Sequence, residues 1–138
     1  MRTRFLMALF ILVVSVLLTA LPAQANVEPI FTIDSLFTAL NTGQIDTALA
    51  AFAADAVVEN RMRGETYRGA AEIGPMLQAM QREGRQYEIV RVEMVGDTIT
   101  VAVEISDRGQ MWGTETIMAE VSEGKLHKLS VSAIQLKL

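Results

Sequence analysis

The residues best suited to chemistry cluster in one short stretch, DAVVENRMRGETYRGAAEI, which spans positions 55–73. It combines acids, three arginines and an amide, as the wall of a reactive site would. The amide, Asn60, is the informative residue, because its side chain has no pKa in the working range and cannot transfer a proton. The stretch therefore predicts that Asn60 hydrogen-bonds a ligand or its own backbone, and that any acid–base chemistry belongs to another residue.

Two glutamates later in the chain, Glu104 and Glu115, are the candidates for that acid–base role, and the catalytic residues are otherwise unknown. A carboxylate buried without a partner has a raised pKa, as a pocket acid requires. Each glutamate can equally lie on the solvent side of its strand, because successive strand residues face opposite ways. For Glu104, the apolar neighbours that favour an outer position are Ile99, Val101, Val103 and Ile105. The face that each glutamate occupies stays open from the sequence.

Other reactive side chains are scarce, which excludes several kinds of site. The chain has no cysteine and a single histidine, His127. Thiolate chemistry, disulfides and cysteine- or histidine-rich metal centres are therefore excluded, and we expect no metal and no cofactor. Tyr67, Trp112 and the methionines Met76 and Met80 suit the lining of an apolar pocket, or equally a packed core.

The first 25 residues have the features of a secretory signal peptide. Arg2 and Arg4 precede the apolar run FLMALFILVVSVLLTALPAQA, which ends in the small-residue motif Ala23-Gln24-Ala25. The alternative is an uncleaved membrane anchor, because the run reaches the lower limit of the ~17–25 residues that span a bilayer. We predict cleavage near Ala25, export of the remaining chain, and contact with a membrane only through this segment.

Residues 26–138 are predicted to form one domain, since 113 residues are enough for a single core. This part contains ten basic and sixteen acidic residues, so its formal charge is −6. An acidic exported domain has no electrostatic reason to bind nucleic acid.

The spacing of apolar residues predicts helices in the first half of this domain and strands in the second. Apolar residues three and four apart predict helices over 29–42, 45–54 and about 70–82. The regular part of the third is expected to start near Gly74, because Pro75 has no amide hydrogen to donate. After Gly84 the period changes to two, and tight turns separate the strands YEIVRVEMV, TITVAVEIS, MWGTETIMAEV and KLHKLSVSAIQL. Helices followed by an antiparallel meander predict an α+β fold.

The order of these elements, the run F-x-x-D-A-V-V-E-N, the following Y-R-G-A-A-E-I and the late E-G-K-L together resemble the nuclear transport factor 2-like superfamily, in its SnoaL-like branch. The resemblance covers about Ile30 to Ile134. It implies a cone-shaped roll of about three helices packed on a curved, mostly antiparallel sheet, with a pocket between them. The superfamily contains ketosteroid isomerases, polyketide cyclases, limonene epoxide hydrolases and pockets without known chemistry, so the site must decide the function.

The resemblance also implies which positions face the pocket. The isomerases carry an Asp at the position of Asn60, and the epoxide hydrolases carry Tyr-x-Asn where this chain has Val58 and Asn60. The hydrolases' Arg-x-Asp aligns with Ala102 and Glu104 and their last Asp with Val131, so most of the known acid–base set is absent. The predicted ligand-binding residues are Asn60, Val58, Tyr67, Met76, Met80, Ala102 and Trp112.

Three functions remain open at this point. The first, which we favour, is binding of a small apolar or amphipathic molecule in the cone without the known catalytic set. The second is an isomerase, cyclase or hydrolase that uses Glu104 or Glu115 together with Asn60. The third is a structural role in which the outer face of the sheet pairs two chains, and we expect a homodimer.

Overall fold

The computed structural model describes residues 28–137, and the predicted signal peptide lies outside this range. Three helices are present: α1 (Glu28–Asn41), α2 (Ile45–Ala50) and α3 (Gly69–Arg82). Helix α1 buries the apolar stripe that its spacing predicted, with Ile33, Phe37 and Leu40 at most 6% exposed. The stripe packs on the sheet because residues three and four apart share one face of a helix.

Six strands form one sheet in the order β2-β1-β6-β5-β4-β3. Their bounds are β1 (Phe52–Asn60), β2 (Glu65–Arg68), β3 (Gln86–Val95), β4 (Thr98–Asp107), β5 (Gln110–Ser122) and β6 (Lys125–Leu136). All neighbours pair antiparallel except β1 and β6, which are parallel. Three helices packed on a mostly antiparallel sheet confirm the predicted α+β fold.

The hairpins of the meander turn where the sequence predicted, and their geometry sets the register of the strands. Arg108 and Gly109 join β4 to β5 and have φ values of 52° and 80°. Glu123 and Gly124 join β5 to β6 with φ values of 53° and 70°. Two consecutive residues with positive φ are typical of the type I′ turn, whose twist matches that of the flanking strands.

Three element boundaries differ from the sequence prediction. Helix α2 ends at Ala50, and Phe52 is the first residue of a strand instead of an inward residue of the helix. The segment Glu65–Arg68 is a short strand that pairs with β1. Helix α3 begins at Gly69, so Pro75 lies inside it. Pro75 is tolerated there because it is exposed, where water can bond the carbonyl that lacks an amide partner.

The two faces of the sheet differ in composition. The inner face, which packs against the helices, carries the buried residues Ile99, Val101, Val103 and Ile105 of β4. The outer face carries the alternate residues, among them Thr100, Ala102, Glu104, Thr116 and Met118. Between Glu28 and Lys137, no helix is long and apolar enough to cross a membrane.

Candidate functional site

A cavity of about 190 Å³ lies between the helices and the inner face of the sheet. Its apolar wall is formed by residues of α1, by residues of α3 and by the inward-facing residues of the strands. The apolar lining residues are Leu36, Phe37, Leu40, Phe52, Val58, Met76, Leu77, Ala79, Met80, Ile117, Leu129 and Val131. The polar lining residues are Asn60, Arg63, Glu65, Tyr67, Glu83, Arg85, Tyr87 and Glu115. The cavity therefore has an apolar body and a polar end, and the exposed Arg63, Glu65 and Glu83 mark where that end meets solvent.

The structure places five of the seven predicted ligand-binding residues in the cavity wall. Val58 and Asn60 lie two apart in β1 and so share its inner face, while Tyr67 faces the cavity from the neighbouring strand β2. Met76 and Met80 are four apart in α3, which puts them on the same side of that helix. Helix α3 and the β1–β2 hairpin thus form opposite sides of the site.

Ala102 does not line the cavity, contrary to its predicted placement, and Glu104 takes the outer of the two positions that the sequence left open. They alternate with Val101 and Val103, which are fully buried on the inner face, so both side chains lie on the outer face. The residues opposite Glu104 in the neighbouring strands are Glu88 of β3 and Thr114 of β5. The expected position of Ala102 came from an alignment, and in a strand a shift of one residue moves a side chain to the other face.

Glu115 is the candidate acid that does face the cavity. It is paired in the sheet with Val103, which puts it on the inner face beside Ile117. The sequence contained a signal for this placement, because Ile117, Ala119 and Val121 alternate on the same side of β5. Glu115 therefore lies on the inner face of the sheet and Glu104 on the outer face, which answers the question that the sequence left open.

Trp112 lies outside the cavity lining but supports a residue within it. The guanidinium of Arg85 sits over the Trp112 ring, 4.3 Å from the ring centroid. The same guanidinium forms a salt bridge with the carboxylate of Glu83 at 3.5 Å. A stacked and paired guanidinium has little freedom, so Trp112 acts on the site by fixing Arg85 at its rim.

The electrostatic environment of Glu115 favours its neutral form. Burial raises the pKa of Glu115, the carboxylate of Glu83 raises it further, and the cations Arg85 and Arg63 oppose the shift. Burial also raises the pKa of Tyr87 to about 12, with Glu115 and Glu83 adding to the effect and Arg85 opposing it. Tyr87 therefore keeps its phenolic proton throughout the neutral range and remains a hydrogen-bond donor.

Glu115→Gln is expected to stabilise the protein at pH 7–8 and to lose that advantage below the ordinary glutamate pKa of 4.5. Because the folded state holds the proton more tightly, wild-type stability falls as pH rises from 4.5 through the folded pKa. The general scale is about 1.4 kcal/mol for each unit of pKa shift, reduced by solvent screening at this half-buried site. Urea unfolding at pH 4, 6 and 8 measures it, with Glu104→Gln on the outer face as the matched control. Equal pH profiles for both variants would contradict it.

Asn60 ends β1 and has its amide oxygen committed to the turn that follows. The oxygen Oδ1 accepts hydrogen bonds from the backbone N–H groups of Met62 and Arg63, each at 3.2 Å. Two backbone donors fix which side of the amide is oxygen, so the Nδ2 group is directed elsewhere. The backbone interpretation of Asn60 is therefore confirmed for its oxygen, and its role in binding a ligand stays a prediction.

Five polar lining residues were not identified as site residues from the sequence: Arg63, Glu65, Glu83, Arg85 and Tyr87. Arg63 lies at the exposed rim of the cavity, whereas Arg61, two residues before it, pairs with Glu59 at 3.6 Å. Tyr87 lies in β3, and Glu83 and Arg85 come from the connection before it. No periodic pattern marks Glu83 or Arg85, whereas Tyr87 lies on the side of the strand that carries Ile89.

A metal-dependent site has no support in this part of the molecule. Residues 28–137 contain no group of three His, Asp or Glu side chains placed to hold a metal ion. The acids of the polar end are instead engaged with other side chains. Tyr67 donates its hydroxyl proton to Glu65 at 2.7 Å, and Glu83 pairs with Arg85.

A cone of three helices and a curved sheet around one internal pocket defines a class of small-molecule-binding and catalytic folds. The SnoaL-like domain family matches residues 33–127, so the chain belongs to this family, and the predicted resemblance is confirmed. A sequence search of curated proteins found no match.

Solved structures with the same fold include proteins from several bacteria. A candidate polyketide cyclase from Sinorhizobium meliloti is 23% identical, with a TM-score of 0.64, and the match covers 73% of this chain and 93% of the other. An LEH-like epoxide hydrolase from M. tuberculosis is 22% identical, with a TM-score of 0.64 and coverage of 76% and 81%. An NTF2-like protein of unknown function from Burkholderia xenovorans is 15% identical, with a TM-score of 0.70 and coverage of 83% and 88%. At these identities the likeness establishes the fold alone.

Proposed function

We propose that the domain binds a compact, largely apolar molecule in its cavity. The observation that carries this proposal is the cavity itself, with an apolar body and a single polar end. Ligand sites are typically apolar with a few polar groups that fix orientation, and this cavity has that composition. Its volume of about 190 Å³ lies below the ~300–1,000 Å³ typical of drug-sized ligands, which favours a small molecule.

Met80→Trp is expected to abolish binding because the larger side chain fills the cavity from α3. The matched control is Met118→Trp, which makes the same change on the outer face, where Met118 is 37% exposed. The wild type and both variants would be purified from the organism that produces the protein. Native mass spectrometry would then measure any bound small molecule. We expect a bound mass in the wild type and in Met118→Trp, and an empty protein in Met80→Trp. An empty wild type that no small apolar compound stabilises against heat would contradict the proposal.

Catalysis by Glu115 is the second candidate function, and the placement of this residue favours it over Glu104. A half-buried carboxyl group with a raised pKa, facing a cavity, is suited to general acid–base chemistry. The amide of Asn60 would then orient a substrate or a water molecule. Loss of turnover in Glu115→Gln with retention in Glu104→Gln would support this role, and equal turnover in both would exclude it.

Export and dimerisation complete the proposed function. We place the domain outside the cytoplasm after cleavage near Ala25, and peptide mapping of the mature amino terminus tests this. The outer face, with small side chains such as Thr100, Ala102 and Thr116, suits pairing with a second copy of the chain. Sedimentation velocity over a range of concentrations tests the homodimer, and a monomer at all concentrations would exclude it.

A further inference from the structure

Three hydrogen-bond donors at the polar end of the cavity have no partner among the described residues. The amide oxygen of Asn60 is occupied by two backbone N–H groups, which leaves its Nδ2 group as the part available to a ligand. Within the described residues, no hydrogen bond uses Nδ2 or the hydroxyl of Tyr87. The guanidinium of Arg63 likewise forms no ion pair in residues 28–137. These three groups donate hydrogen bonds, and neither the guanidinium nor the amide nitrogen can accept one.

Two of the acids at the same end are already engaged with other side chains, and the third, Glu115, is half-buried. Glu65 accepts the hydroxyl proton of Tyr67, and Glu83 pairs with the stacked guanidinium of Arg85. Glu115 has its pKa raised by burial and, when protonated, adds another donor. A ligand that enters this end therefore meets hydrogen-bond donors that have no acceptor partner in the protein. Donors that stay unpaired when the ligand buries them cost free energy.

We propose that the ligand is a compact monocarboxylic acid whose hydrocarbon part fills the apolar cavity and whose carboxylate accepts hydrogen bonds from Asn60 and Arg63. The inference rests on the proposed binding function and adds the chemical class of the ligand. Asn60 and Arg63 both line the polar end of the cavity, so a carboxylate bound there faces both donors. Hydrogen bonds from a guanidinium to a carboxylate are among the strongest in proteins.

Binding of the carboxylate is linked to the protonation of Glu115. The charged and titratable groups around Glu115 are Arg63 after β1, Glu65 and Tyr67 of β2, Glu83 and Arg85 before β3, and Tyr87 of β3. A ligand anion beside these groups repels a second negative charge, so it favours the protonated form of Glu115. Complex formation therefore takes up a proton where Glu115 is ionised in the free protein, and the affinity for an acid falls as pH rises through the pKa of Glu115.

Three ligands with the same ring and different head groups test the proposal: cyclohexanecarboxylate, cyclohexylmethanol and cyclohexylmethylamine. Isothermal titration calorimetry is expected to show that the carboxylate binds at least about tenfold more tightly than the other two, which equals about 1.4 kcal/mol. Titrations in buffers of different ionisation enthalpy would measure the proton uptake. Equal or tighter binding of the alcohol or the amine overturns the ligand class and leaves the proposed cavity function standing. No binding above that of Met80→Trp by any of the three overturns both.

Two substitutions separate the donors from the fold. Asn60→Asp keeps an oxygen for the backbone N–H groups of Met62 and Arg63 but replaces the amide donor with a second oxygen. It is expected to lose the carboxylate and to gain affinity for the amine. Arg63→Gln is expected to weaken carboxylate binding about tenfold, whereas Arg61→Gln, whose side chain pairs with Glu59 instead, leaves it unchanged. Wild-type carboxylate affinity in Asn60→Asp, or equal effects of the two arginine substitutions, overturns the inference.

Discussion

Leu77→Ala is expected to lower the free energy of unfolding by about 2–5 kcal/mol, the usual range for truncating a buried leucine. Leu77 is 1% exposed and lies on the side of α3 that faces the cavity. Domains of this size have a total stability of only ~5–15 kcal/mol, so the loss is a large fraction of it. Because the new void is continuous with the existing cavity, the variant is also expected to accept larger ligands than the wild type.

Ile73→Ala is the matched control for Leu77→Ala. Ile73 lies one turn earlier in α3 and is 0% exposed, but it does not line the cavity. Both variants are expected to show comparable losses in urea unfolding, and only Leu77→Ala should change the preferred ligand size. An unchanged size preference in Leu77→Ala would mean that this residue does not bound the ligand space.

Asn41→Ala is expected to destabilise the protein by about 2–4 kcal/mol, because it removes two hydrogen bonds and leaves two partly buried backbone groups unpaired. The Asn41 side chain donates to the carbonyl oxygen of Tyr87 at 2.7 Å and accepts from its N–H at 2.8 Å. Tyr87 belongs to the edge strand β3, whose outward backbone groups have no strand beside them. The side chain at the end of α1 therefore takes the place of a missing strand.

The same substitution has a readout at the site. Tyr87 lines the cavity, so a displaced β3 is expected to weaken ligand binding in Asn41→Ala under conditions where the variant remains folded. Asn41→Asp keeps the acceptor but puts a carboxylate oxygen against the carbonyl oxygen of Tyr87, so in urea unfolding we expect a loss of stability at least as large as that of Asn41→Ala at pH 7. A smaller loss in Asn41→Asp than in Asn41→Ala at pH 7, or a loss below about 0.5 kcal/mol in Asn41→Ala, would contradict this account of the hydrogen bonds.

Most of the fold could be predicted because its elements carry strong periodic signals. The stripe of α1 and the alternation in β4 are local patterns that survive into the structure. The end of α2 was misjudged because Ala51 to Ala54 contains three residues with high helix propensity. Phe52 is nevertheless in a strand, since it pairs with Leu126, whose N–H also bonds the carbonyl of Ala51. That contact is invisible in the local sequence.

The site was harder to predict than the fold. Val58 and Asn60 were assigned to the pocket through the Tyr-x-Asn pattern of the family, and both line the cavity from one face of β1. The choice between Glu104 and Glu115 instead depended on the parity of each strand, and an alignment shifted by one residue reverses it. Arg85 escaped prediction because it stands in the connection between α3 and β3, where no periodicity exists. Its role depends on Trp112 and Glu83, which the fold brings to either side of it.

The parallel pairing of β1 with β6 determines when the pocket comes into existence. Strand β1 carries Val58 and Asn60 but finds its long neighbour only in the last strand of the domain. A nascent chain that stops before Lys125 can form the local hairpins of the meander, yet it leaves one side of β1 without hydrogen-bond partners. Such distant pairings form late, because the closure of the intervening loop costs entropy first. The pocket is therefore complete only when the whole chain has folded, and a ligand cannot bind to a partially folded precursor.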